Sequence, residues 1–263
     1  MTAEEPAHTS YRSGVLSKDS PTEQARLNSI QSSVDVFSTG ILAALGVRPS
    51  WDCLELGAGA GSIAYWLAER CPDGRVVAAD IDTRYLDADA AANLEIAEQD
   101  VTDPGYAPGS FDLVHARYLF SHLPARDEVL ARAAGWLKPG GWLVIEEPYQ
   151  LPAETSPFPV VRRIMAAYRD KYAEHGADLT WARSIPSALA GAGLTEVDFT
   201  GRLACMGNLE RDRWRPLIAQ VSPALIEEGS ITQAELDEFT ALLDDPAFID
   251  VPQFTLAAWG RRD

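Results

Sequence analysis

Residues 51–64 read WDCLELGAGAGSIA. A short apolar run from Cys53 to Leu56 carries one acid, Glu55, at its end. Gly57, Gly59 and Gly61 follow at alternate positions, and an amphipathic helical pattern begins at Ser62. A strand that breaks into a glycine turn at a helix start forms a nucleotide-sized cradle. Glycine lets backbone approach a ligand closely, and the first helical turn offers N–H groups. A dinucleotide fingerprint, Gly-x-Gly-x-x-Gly, would need glycine at position 62. Ser62 stands there instead, which disfavours a nicotinamide dehydrogenase. A carboxylate at Glu55 suits a cation better than a pyrophosphate.

Outward from this stretch, short apolar runs alternate with helical patterns. Strands are expected at Cys53–Leu56, Val76–Ala79, Leu94–Glu98, Phe111–Ala116 and Leu143–Glu146. Helices are expected over Ile63–Arg70, Thr83–Ala91 and Asp127–Leu137, with a further helix from Pro21 to Leu45. Repeated units of this length imply an α/β fold with a parallel sheet and right-handed crossovers. The four prolines between Pro148 and Pro159 read as a loop. Helices over Val160–Glu174, Ser187–Ala192, Arg211–Glu228 and Thr232–Leu243, and strands at Thr195–Thr200 and Phe254–Trp259, complete the reading. Thr232 and Glu235 have capping-box spacing.

Composition narrows the function. The 263 residues hold 22 Lys and Arg against 39 Asp and Glu, a formal charge of −17. Nucleic-acid surfaces depend on clustered basic residues, and anionic membranes attract them, so neither partner is expected. The three cysteines lie far apart with no metal-ligand spacing, and no metal site is expected. The acidic start MTAEEPAHTS has no apolar run, so a cytoplasmic protein is expected. Composition leaves a homodimer open.

Glu-x-Gly-x-Gly-x-Gly resembles motif I of the class I S-adenosylmethionine (SAM) methyltransferases. Further along, Gly109-Ser110-Phe111-Asp112-Leu113-Val114 resembles the strand-four motif of that family. Leu137-Lys138-Pro139-Gly140-Gly141-Trp142-Leu143 resembles its turn into strand five. The resemblance covers roughly residues 50–147, with the motifs in order. It implies a Rossmann-like, seven-stranded, mostly parallel sheet with helices on both faces and the seventh strand antiparallel between five and six. It also implies SAM as cofactor and S-adenosylhomocysteine as product. In the family, Glu55, Gly57, Ala58 and Gly59 would border the methionine half of SAM.

An acid at Asp80, ending the second strand, can accept both hydroxyls of a ribose, in NAD enzymes as in these, and Ile81 beside it could pack on adenine. Asp82 reads either as a ligand contact or as a helix cap. By resemblance, Asp100 would accept from the adenine amino group and Val101 would pack on the ring; the alternative for Asp100 is a turn. Ala116 and Arg117 would lie beside the sulfonium. Tyr11 and the run from Glu23 to Leu27, with Arg26, resemble a lead-in segment that closes over SAM.

His122 is the candidate general base, because imidazole titrates near neutrality; the alternative is a helix cap. Tyr118, four residues earlier, would share its face across one helical turn. Tyr118, Glu147, Tyr149 and Trp181 are the candidate substrate contacts, and Trp214 is a further pocket candidate. His115, alternating within strand four, reads as a hydrogen-bonded core residue. The expected organisation is an N-terminal lid and helices over 1–48 and a SAM-binding core over 49–149. A cap insertion over 150–182 and the rest of the core over 183–263, with a helical insertion at about 205–250, follow. The expected reaction is methyl transfer to a small molecule, with O-methylation in secondary metabolism the first choice. The alternatives are N- or C-methylation, or a cyclase-type enzyme that keeps the methyl group.

Overall fold

The computed structural model describes residues 18–207 and 211–263. Tyr11 lies outside them. One sheet of seven strands is ordered β3-β2-β1-β4-β5-β7-β6. The strands are β1 (Cys53–Leu56), β2 (Val76–Asp80), β3 (Leu94–Glu98), β4 (Phe111–Arg117), β5 (Leu137–Gln150), β6 (Thr195–Gly207) and β7 (Ile249–Arg261). β1 pairs in parallel with β2 and β4, β2 with β3, and β4 with β5. β7 runs against β5: Gly140 N donates to Arg262 O at 2.7 Å, whereas Leu151 N donates to Pro252 O at 2.9 Å. The strand order reverses at β1 and β4, and open α/β sheets bind ligands outside the carboxyl ends of strands at such a point.

The helices are α1 (Glu23–Ala44), α2 (Ser62–Arg70), α3 (Arg126–Trp136), α4 (Pro159–Glu174), α5 (Ile185–Gly191), α6 (Arg211–Glu227) and α7 (Gln233–Asp244). Ile63, Ala64, Leu67 and Ala68 of α2 are buried with Cys53, Val76, Ala78 and Leu113 of the sheet, which fixes the helix behind the glycine turn. Thr232 and Glu235 form the capping box of α7.

Four elements differ from the expectation. Thr83–Ala91 is not an α-helix; a 3-10 turn at Ala88–Ala90 is its helical part. Asp87 accepts from Asp89 N at 2.9 Å, the local bonding by which Asp competes with helix. β5 extends to Gln150, so Glu147, Pro148 and Tyr149 are strand residues beyond the expected end at Glu146. Its pairing with β4 shifts register between Phe111 and Leu113. A side chain at Gly141 would lie 3.0 Å from Asp112 O and Lys138 O, so the backbone passes close to glycine at the irregularity. β6 and β7 are also longer than expected.

The chain divides into two compact units. One holds Val34–Glu147, Trp181–Gly201 and Leu256–Asp263. The other holds the described residues up to Ser33 with Pro148–Thr180 and Arg202–Thr255. In this second unit Val160, Val161, Ile164, Met165 and Tyr168 form the buried side of α4. Trp214 is fully buried there and donates from Nε1 to Cys205 O at 3.2 Å, so it is core rather than pocket lining.

Candidate active site

The glycine turn is left-handed at three positions, with φ of 67° at Gly57, 61° at Gly59 and 86° at Gly61. Only glycine adopts such a run without strain. Gly57 N and Ala58 N both donate to Ala79 O, tying the turn to β2. Gly61 caps α2 without a side-chain hydrogen bond, leaving its N-terminal end undecorated by a polar side-chain cap. Asp80 closes the turn from the other side. Its Oδ2 accepts from Gly59 N at 2.8 Å and its Oδ1 from Asp82 N at 3.0 Å. Asp82 in turn pairs with Arg84. A carboxylate offers about four lone-pair sites, so these two bonds do not by themselves fill it.

Asp100 makes a turn of its own: Oδ1 accepts from Thr102 N at 2.8 Å and from Thr102 Oγ1 at 2.7 Å. Val101 O accepts from Arg132 at 3.2 Å. Ile81 is half-buried, and Ala116 is fully buried in β4.

The carboxyl ends of β1, β4 and β5 hold the most unusual chemistry of the fold. Glu55, His115 and Glu146 lie side by side on three neighbouring strands and are all buried. His115 Nδ1 is 2.5 Å from Glu55 Oε2, and His115 Nε2 is 3.0 Å from Glu146 Oε1. Burial penalises the imidazolium, but the Glu55 charge and hydrogen bonds to Glu146 and Glu55 outweigh it and push His115 up to about 9. Burial also raises Glu55, against the pull of His115. Both directions mean that the cluster retains a proton through neutral pH. The sequence reading placed Glu55 near a bound cation; the structure supplies an internal one.

The network continues to α1 and α2. Glu146 Oε2 accepts from Ser38 Oγ at 2.9 Å. Arg117 donates to Ser38 Oγ at 2.9 Å, pairs with Asp35 at 2.8 Å and reaches Ser62 Oγ at 3.3 Å. Ser62 Oγ donates to Asp35 Oδ1 at 3.0 Å. Arg117 is therefore held by the protein itself at the end of β4.

Beyond Arg117 the chain turns sharply. Tyr118 has φ of 56°, a strained conformation for a bulky residue and one that concentrates at functional sites. Phe120–His122 form a 3-10 turn. Tyr118 precedes that turn, so the shared helical face expected for Tyr118 and His122 does not form. Glu147 organises this segment: its carboxylate accepts from Leu119 N at 2.8 Å, Phe120 N at 2.6 Å and Ser121 N at 3.2 Å. Burial pushes Glu147 up to about 7, against the bonds from Ser121, Phe120 and Leu119. Glu147 is fully buried, so it shapes the turn rather than facing a substrate. Trp181 is buried too, stacked on Phe120 at 5.8 Å with Arg126 over its ring. Its contacts are those of a wedge beneath the turn.

In the second unit Tyr149 stacks on Phe254 at 4.8 Å. Arg26 donates from Nε and Nη2 to Glu23, at 2.8 and 2.6 Å, and Glu23 also accepts from Gln220. Those bonds make Arg26 part of the buried start of α1. Among the described residues no group of His, Cys, Asp or Glu is arranged to hold a metal ion. Among them, too, no helix is long and apolar enough to cross a membrane.

The sheet order and the glycine turn at its reversal define a Rossmann-like methyltransferase fold. Residues 54–145 match the family model described as a methyltransferase domain. The chain is 33% identical over 129 residues to a methyltransferase, str3, of Strobilurus tenacellus, covering 48% of this chain and 45% of that one. It is 37% identical over 117 residues to the nocamycin O-methyltransferase of Saccharothrix syringae, covering 40% and 41%. The chain spans about half the length of such curated relatives. A phosphoethanolamine N-methyltransferase 2 of Haemonchus contortus, solved with phosphomonomethylethanolamine and S-adenosylhomocysteine, shares the fold. Its TM-score is 0.60 at 16% identity, over 95% of this chain and 59% of that one. The methyltransferase-domain match covers residues 54–145, and the fold is shared with methyltransferases solved with SAM or S-adenosylhomocysteine.

Proposed function

We propose that this protein transfers a methyl group from SAM to a small-molecule acceptor, with O-methylation in secondary metabolism as the leading case. The observation that carries the reading is the left-handed glycine turn locked to Asp80 at the point where the strand order reverses. The relatives named for methyl transfer, one of them an O-methyltransferase, support it.

The residues present fit the cofactor. The turn keeps Cβ atoms out of the cradle, and the N-terminal end of α2 offers N–H groups suited to a carboxylate. Asp80 would accept the ribose hydroxyls, Ile81 and Val101 would pack on adenine, and Asp100 would accept from its amino group. Ala58, Ala116 and Arg117 complete the border. When bound, SAM supplies an electrophilic methyl on a sulfonium. For a hydroxyl acceptor, His122 takes the proton, and Tyr118 contacts the acceptor.

Two measurements check these assignments. Asp80→Ala is expected to weaken SAM binding by roughly 1.5–3 kcal/mol, the worth of a charge-assisted hydrogen bond. Unchanged affinity by calorimetry removes Asp80 from the ribose. His122→Ala is expected to lower turnover about 100-fold or more with little change in SAM affinity. Turnover that survives the change gives the base role to another group.

A further inference from the structure

Three side chains of the Glu55–His115–Glu146 bridge form two hydrogen bonds, and carboxylates only accept. A neutral imidazole has one N–H. Two ionised carboxylates and a neutral ring therefore leave one contact without a proton. The observed pair of contacts needs one proton more, giving the bridge a net charge of −1. Every element packed on it contributes to this balance. β1 gives Glu55, β4 gives His115 and Arg117, β5 gives Glu146, and α1 gives Ser38 and Asp35. Ser62 at the start of α2 joins through Asp35 and Arg117. Glu55 lies two residues before Gly57, so the bridge is bonded to the strand that enters the glycine turn.

We propose that His115 is a positioning residue whose shared proton clamps Glu55 to Glu146 and so holds the glycine turn, α2 and Arg117 in the arrangement that SAM binding requires. This rests on the SAM reading above. Loss of the proton sets a ring lone pair against a buried carboxylate. The strand ends then move apart, and binding weakens. The charge on Glu146 is what holds the proton from the β5 side, while Ser38 passes the position of Glu146 on to Arg117.

The test is S-adenosylhomocysteine affinity from pH 6.5 to 10.5 for the wild type, Glu146→Gln and Ser38→Ala, alongside imidazole NMR of ligand-free protein. The ligand amine titrates within the same alkaline range, so the difference between proteins is decisive. Glu146→Gln keeps hydrogen-bonding groups but loses a charge. Its His115 titration and its loss of affinity are both expected about one pH unit or more below those of the wild type. Ser38→Ala is expected to weaken binding about fivefold at pH 7.5 while leaving the His115 titration nearer the wild-type value. An unshifted affinity profile in Glu146→Gln, with ligand still bound, overturns the clamp and leaves the SAM reading intact. A wild-type protein that binds neither SAM nor S-adenosylhomocysteine at any pH overturns the SAM reading. In that case a His115 signal that stays protonated to about pH 9 still identifies the bridge, and its role toward SAM is discarded.

Discussion

His115→Leu is expected to destabilise the protein by about 3–5 kcal/mol at pH 8, the usual cost of removing one partner from a buried ion pair. Leucine supplies neither a proton nor a charge, so Glu55 and Glu146 are left buried without their cation. The loss shrinks at pH 5, where the carboxylates can neutralise themselves by protonation. Urea unfolding at the two pH values checks this. A loss under about 1 kcal/mol at pH 8 means that the bridge is not what holds these strand ends. The wild type carries the matching pH signature. The folded pKa of His115 lies above its unfolded value, so its stabilisation is complete below about pH 6.5 and disappears as pH rises through about 9. The contribution lost is on the order of 3 kcal/mol.

Glu147→Ala is expected to cost about 3 kcal/mol and to loosen residues 118–122. Three backbone N–H groups lose their acceptor, and those of Phe120 and Ser121 are buried. Each orphaned buried donor costs about 1–3 kcal/mol, and relief of the buried charge returns part of the sum. Glu147→Gln keeps one acceptor oxygen and should fall between wild type and alanine. Hydrogen exchange at Phe120 and Ser121 reads the effect directly. Because Tyr118 and His122 flank these amides, turnover should fall more than SAM affinity. Unaltered exchange there would falsify the assignment of Glu147 as the organiser of this turn.

Local chemistry made the glycine turn legible. The glycines at 57, 59 and 61, the acid at Asp80 and the strand before the turn stand within 30 residues, and each has a backbone reason to be there. The Thr83–Ala91 segment was misread because its aspartates bond to nearby N–H groups, which a helical pattern does not register. The partners of Glu146 and Glu147 are not legible for a related reason. Two acids before a proline look like a solvated strand end, and nothing local shows that one will meet His115 and the other three amide groups.

The sequence by itself determined the α/β alternation, the glycine turn and its strand–turn–helix setting, because these depend on residues close along the chain. Tertiary structure decided what the acids touch. Glu55 meets His115, 60 residues later, because β1 and β4 are in parallel register. Glu146 joins them because β5 brings it to the same side of the sheet, beyond a register shift that hydropathy does not reveal. Pairing across strands, not spacing along them, turns three separate ionisable residues into one proton-holding bridge beneath the glycine turn.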